Sequence, residues 1–111
     1  MWADFHPSAG HEQSGLRPAL VISPHGYNAR SSLLIVCPIT NRDDKWPFRV
    51  RVDADLKIGG FIMVDQVKAI DRAARVKRLA GRVCAATLDE VRRLLSELVE
   101  INAGHAARAK D

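Results

Sequence analysis

The chain has 111 residues, 47 % hydrophobic and 27 % charged, which suits one ordinary core and excludes a second, a fibrous repeat and global disorder. Its longest apolar run, Leu33 to Cys37, is far short of the roughly 20 residues of a membrane helix, and Met1 to His6 has neither a basic nor an apolar signal region, so the cytoplasm is the expected compartment. The net charge of +4 is concentrated: residues 42–82 carry eleven basic and six acidic side chains, against two of each in residues 1–41. Such a basic region fits a polyanionic partner, or simply a solvated face.

Ala19 to Ile22 and Leu33 to Ile39 are short runs rich in Val and Ile, closed off by Pro18, Pro24, Gly26 and Asn41, the pattern of buried strands. Phe48, Val50 and Val52 alternate with Arg49, Arg51 and Asp53, which predicts a strand with one face on a core and a basic row in water. Gly59-Gly60 turns the chain into Phe61 to Val64, and Gln66 to Ile70 alternates again, giving two more strands. Asp71 to Arg78, with Arg72, Arg75, Lys77 and Arg78, reads as a helical turn, and Arg82 to Cys84 as a short extended run. Thr87 and Glu90 have capping-box spacing, and Leu88, Val91, Leu94, Leu95, Leu98 and Ile101 recur at helical period. A helix is therefore predicted from about Leu88 to Ile101. From Asn102 the sequence is a mixture of Ala, Gly, His and Arg, so the expected organisation is one domain over 1–102 and a flexible tail over 103–111. Many short strands and one last helix predict a mainly β fold with a C-terminal α-helix, a small and strongly bent sheet or barrel.

Cys37 and Cys84 both sit among apolar neighbours, as buried reduced thiols do, and neither has a second Cys or His at ligand spacing. No pair of the four histidines, His6, His11, His25 and His105, has helical metal spacing, so neither a metal nor a cofactor is expected. Glycine-rich nucleotide loops and a nucleophile elbow are missing too. The polar segment from Pro7 to Arg17 is long for a loop inside a small domain, and such loops usually carry function. Arg17 stands at its end, held toward extended backbone by Pro18. Thr40 and Asn41 offer a hydroxyl and an amide at the end of the next strand, or merely a turn that stops it. Asp65-Gln66 reads either as hydrogen-bonding readers or as the turn between two strands.

The residues Trp2 to Pro7, the run Gly10-His11-Glu12-Gln13-Ser14-Gly15-Leu16-Arg17-Pro18 continuing to Pro24, and Tyr27-Asn28, Cys37 to Thr40, Trp46-Pro47-Phe48 and Asp65 to Lys68 together resemble the MazF/PemK family of bacterial toxin endoribonucleases. The order and spacing match nearly the whole chain. The resemblance implies an SH3-like barrel with a C-terminal helix, usually a homodimer, in which Arg17 and Thr40 form the catalytic pair with Glu12 as a further candidate. It places His11, Gln13, Ser23, Asn28, Asp65, Gln66 and Lys68 along the groove for single-stranded RNA. It implies an antitoxin partner with an acidic, disordered C-terminal segment, DNA being met only through that antitoxin. Two departures stand out: the family's Gly-Asp-hydrophobic stretch ahead of Trp2 is missing, and His6 replaces an acidic or small residue.

The implied chemistry suits these residue types. An RNA 2′-hydroxyl attacks its own phosphodiester, so nucleophile and phosphate arrive pre-positioned and no metal is obligatory. A guanidinium binds the phosphorane's oxygens through two parallel hydrogen bonds while a threonine hydroxyl takes another. Arginine is a poor base, which leaves Glu12, His6 and His11 as proton acceptors. Trp46 and Phe5 are the expected platforms for unstacked bases, whereas Phe48 and Phe61 are expected in the core. A catalytically inactive RNA-binding or antitoxin-binding relative is the alternative reading, and retention of Glu12, Arg17 and Thr40 favours the enzyme. An adaptor for proline-rich peptides lacks the aromatic groove such binding uses.

Overall fold

A computed structural model describes residues 2–5, 17–53, 59–79 and 81–100. Seven strands form one sheet: β1 (Trp2–Phe5), β2 (Arg17–Val21), β3 (Leu33–Thr40), β4 (Arg49–Arg51), β5 (Phe61–Met63), β6 (Lys68–Asp71) and β7 (Val76–Leu79). Among the described residues two helices lie between strands, α1 (His25–Arg30) and α2 (Arg72–Arg75), α3 (Ala85–Leu98) follows β7, and a 3-10 turn, Val64–Gln66, links β5 to β6. All recorded pairings are antiparallel. The order is β4-β5-β3-β2-β1-β7, with β6 on β3 as well. The long β3 organises the sheet: its first half pairs with β6 and its last residues with β5. Such a bent sheet backed by a helix is the mainly β, barrel-like architecture predicted, although the sheet stays open among the described residues.

Alternation along β3 divides the core in two. Cys37 and Ile39 join Leu20, Ile22, Val50, Val52, Ile62, Val64, Val83 and Val91, against which Leu88, Leu94 and Leu95 pack from α3. Leu34 and Val36 point the other way, to Ala19, Val21 and Ile70, with Val76 alongside. The period-2 pattern of a strand requires this when both faces are covered. The buried faces of Ala19, Leu20, Val36, Cys37, Ile62, Val64 and Val91 are wholly closed to water.

Several local expectations are corrected. The predicted capping box does not form: α3 begins at Ala85, with Cys84 as its cap and no side-chain capping bond. Thr87 instead donates its hydroxyl to Asp53, and Glu90 pairs with Arg93 at 2.7 Å. Asp53 also accepts the Cys84 backbone N–H at 2.6 Å, so the carboxylate of a residue just past β4 takes over the cap. Leu98 ends the helix, and Ile101 and the predicted tail lie outside the described residues. Cys84 is exposed while Cys37 is buried, because Val83 takes the core position ahead of the helix. Burial, with the Asp65 charge added, pushes the Cys37 thiol up to about 12.

The segment from Arg72 divides into one short helical turn and the strand β7. That strand exists because β1 supplies its partner, Asp4 lying opposite Arg78 and Ala3 opposite Leu79. Helix α1 has no buried residue and so no apolar period to announce it. Arg72 holds its end by donating to the carbonyls of Asn28 and, at 3.2 Å, Ser31, as a cation at a helix C-terminus should.

Candidate functional site

Register brings four distant side chains into one row. Ala19 lies opposite Pro38 and Val21 opposite Val36, and carrying that register back along β2 sets Arg17 opposite Thr40. Thr40 lies opposite Phe61, and Phe61 opposite Arg51. Directly opposed residues share a sheet face, so Arg17, Thr40, Phe61 and Arg51 cross β2, β3, β5 and β4 on the face turned away from α3. The two arginines are exposed and the other two residues half-buried. Lys68, opposite Val36, shares this face further along β3.

Thr40 accepts the Arg42 backbone N–H at 3.2 Å, an interaction that leaves its own O–H to donate. Beneath it, Gly60 has φ +100, and a Cβ there would lie 2.4 Å from the Thr40 carbonyl oxygen. Only glycine permits this approach, and the Gly60 carbonyl in turn accepts the Val52 N–H at 2.9 Å. A guanidinium and a hydroxyl on neighbouring strands are donors of the kind that phosphate oxygens accept.

Beyond Thr40 the chain passes through Asn41 to Trp46, which a polar network braces. The Trp46 indole donates to Asp65 at 2.7 Å, Arg49 donates to the other Asp65 oxygen at 2.8 Å, and Arg49 also reaches Asp44 at 3.2 Å. Arg49 was expected in open water with the rest of its basic row, yet its side chain is only 11 % exposed, because two carboxylates enclose it. Trp46 keeps 49 % of its surface exposed, its ring 5.9 Å from that of Phe48 and tilted by 51°. Phe48 packs on the core as expected, but Phe61 belongs to neither core cluster and lies under Arg51, the guanidinium 5.3 Å from the ring centroid.

Burial raises the Asp65 carboxyl, but hydrogen bonds from Trp46 and Arg49 together with the Arg49 charge outweigh it and hold the group below the usual carboxylate range. A carboxylate with a depressed folded value contributes stability above its unfolded pKa and loses it as pH falls through the folded one. Asp65→Asn is therefore expected to melt below the wild-type protein at pH 7, with the gap closing as pH falls from about 5 toward 3. Melting curves of both proteins across that range test this, and a gap independent of pH would remove the charge from the argument.

The other predicted residues are dispersed. Ser23 and Asn28 bond to each other, the Asn28 amide also donating to the Ser23 carbonyl at 3.0 Å while Ser23 Oγ accepts the Ile35 N–H at 3.1 Å. They brace α1 against β3, beyond the end of β2 opposite to Arg17. Gln66 is exposed in the 3-10 turn. His6, His11, Glu12 and Gln13 lie outside the described residues, as does the Phe5 side chain. Among the described residues no three His, Cys, Asp or Glu side chains gather as a metal site, and no helix is long and apolar enough to cross a membrane. The sequence reading missed Arg51 and Phe61 as site residues, since only their cross-strand register puts them beside Thr40.

The molecule is thus a small, bent, helix-backed sheet that carries exposed arginines and a threonine hydroxyl on the face turned away from α3. Residues 1–99 match the family model described as PemK-like, MazF-like toxin of type II toxin-antitoxin systems. The chain is 33 % identical over 99 residues to the endoribonuclease toxin MazF of Escherichia coli (strain K12), spanning 89 % of this chain and 88 % of that protein. Among solved structures, MazF from Deinococcus radiodurans is 42 % identical with a TM-score of 0.73, covering 90 % of this chain and 91 % of that one. A MazE-MazF structure from the same organism is 41 % identical with a TM-score of 0.76, covering 91 % of each chain. This chain belongs to the PemK-like, MazF-like toxin family.

Proposed function

We propose that this toxin is a sequence-selective endoribonuclease that cuts single-stranded RNA without a metal, by attack of the RNA's own 2′-hydroxyl. The observation that supports the reading is the β2–β3 register, Ala19 opposite Pro38 and Val21 opposite Val36, which continued by two residues sets Arg17 across from Thr40. Arg17 binds two non-bridging phosphate oxygens and Thr40 donates to one of them, so both stabilise the charge that gathers on a pentacoordinate phosphorane. The 2′-oxygen bonds to phosphorus as its proton leaves for Glu12, with His6 and His11 as the other acceptors in that segment. The 5′-oxygen departs and takes up a proton, leaving a 2′,3′-cyclic phosphate and a 5′-hydroxyl. Lys68 stands on the same face and Gln66 beside it, in position to hold flanking nucleotides; Asp65 acts through Trp46.

A second copy of the chain extends the groove, and the acidic, disordered end of an antitoxin occupies it in competition with RNA, drawn by the same basic field. The relatives solved as MazE-MazF complexes support that partner. The test is an all-ribose oligonucleotide incubated with the protein in EDTA, beside a copy carrying one 2′-deoxy residue just 5′ of the mapped cut. The expected result is cutting of the first alone. Cutting of the deoxy substrate would end the 2′-hydroxyl mechanism.

A further inference from the structure

Arg51 and Phe61 complete the row that starts at Arg17, and neither has a part in binding the phosphate. Strands in a sheet are about 4.8 Å apart, so Phe61 stands one strand and Arg51 two strands from Thr40, close enough for the base of a nucleotide whose phosphate sits at Thr40. The Arg51 guanidinium carbon lies 5.3 Å over the centroid of the Phe61 ring, and Arg51 is exposed. The face of the half-buried ring attracts the guanidinium and limits its freedom. Beside the pair is an open cleft of about 370 Å³ bounded by Asn41, Val52, Asp53, Gly59 and Gly60, at the small end of ligand-binding cavities, which run from roughly 300 to 1,000 Å³.

The chemistry of the cleft discriminates between parts of a nucleotide. Asp53 is among its lining residues, and hydrogen bonds from Thr87 and Cys84 favour the charged form of its carboxyl, so a second negative charge nearby would be repelled. A flat, uncharged base is not, and the Asn41 amide, at the cleft's rim, has donor and acceptor groups for its edge. Unpaired bases stack on guanidinium planes as they do on aromatic rings.

We propose that Arg51, over the Phe61 ring, is a stacking platform for one unpaired base of the RNA next to the cut, and so binds that nucleotide. The inference rests on the endoribonuclease reading above. Its test uses single-stranded oligonucleotides in which each nucleotide flanking the cut is made abasic in turn, with the wild-type chain, Arg51→Lys and Phe61→Leu. One abasic position is expected to lower the wild-type kcat/KM roughly 10-fold, the scale of a lost base stack. Both variants should lose a similar factor on the intact RNA and nothing more at that position. Arg51→Lys keeps the charge and stands on the surface, so it answers the question even if Phe61→Leu melts early. Wild-type activity in Arg51→Lys, or an abasic penalty that persists in it, would overturn the platform, as would indifference of the wild type to every abasic position. Failure of the wild-type chain to cut any RNA would instead overturn the endoribonuclease reading.

Discussion

Arg17→Ala is expected to lower turnover on single-stranded RNA by roughly 10² to 10³, the cost of removing one preorganised donor from a transition state, while leaving the melting temperature nearly unchanged. The separation follows from position. Arg17 is exposed at the first residue of β2, and its structural part is a backbone pairing opposite Phe5, which alanine also makes. Arg17→Lys should fall between the two, since an ammonium keeps the charge without the planar fork. Thr40→Val should cost less than Arg17→Ala, because a β-branched replacement keeps the strand and removes one neutral donor. Single-turnover rates with thermal melts of all three proteins provide the measurement. A near-wild-type rate in Arg17→Ala, coupled to early melting, would make Arg17 a structural residue.

Gly60→Ala should damage stability and activity together. At φ +100 an L side chain is strained wherever it is placed, and here its Cβ would be 2.4 Å from the Thr40 carbonyl oxygen. Backbone cannot swing aside as a flexible side chain would, so β3 and β5 must separate where Thr40 pairs with Phe61. The combined cost is about 2 kcal/mol or more, which for a domain of this size lowers the melting temperature by roughly 10 °C. Turnover should fall even where the variant is folded, because the carbonyl that moves belongs to Thr40. Gly59→Ala is the control: it also has positive φ, at +55, but its Cβ would meet nothing within 4 Å, so only about 1 kcal/mol of left-handed strain is expected. Equal effects of the two substitutions on melting and on rate would show that contact with Thr40 decides nothing.

The difference between the two glycines illustrates what a chain announces about itself. Gly59-Gly60 reads as a turn from the sequence, and a turn it is, but which glycine lies against Thr40 depends on a strand about twenty residues away. The strands Arg17–Val21, Leu33–Thr40 and Phe61–Met63 and the apolar stripe of α3 were legible because alternation and helical period are local properties that burial enforces. Helix α1 and strand β7 were not: one buries nothing, and the other is a basic run that becomes a strand only because β1 offers it hydrogen bonds. The capping box failed for a similar reason, as Asp53, far away in sequence, satisfies the N–H of Cys84 and takes the Thr87 hydroxyl.

The candidate site divides along the same line. Sequence by itself determined the family likeness, the candidates Arg17 and Thr40, and the basic character of the region that follows, since these depend on residue identity and order. Tertiary structure alone decided which donors stand side by side. It set Thr40, Phe61 and Arg51 in one row, enclosed Arg49 between Asp44 and Asp65, and turned Ser23 and Asn28 toward each other. Register and ion pairing are relations between segments, and a one-residue slip would send each of these side chains to the opposite face. Residue types are written along the chain, whereas their neighbours are settled only when strands pair and bury a common core.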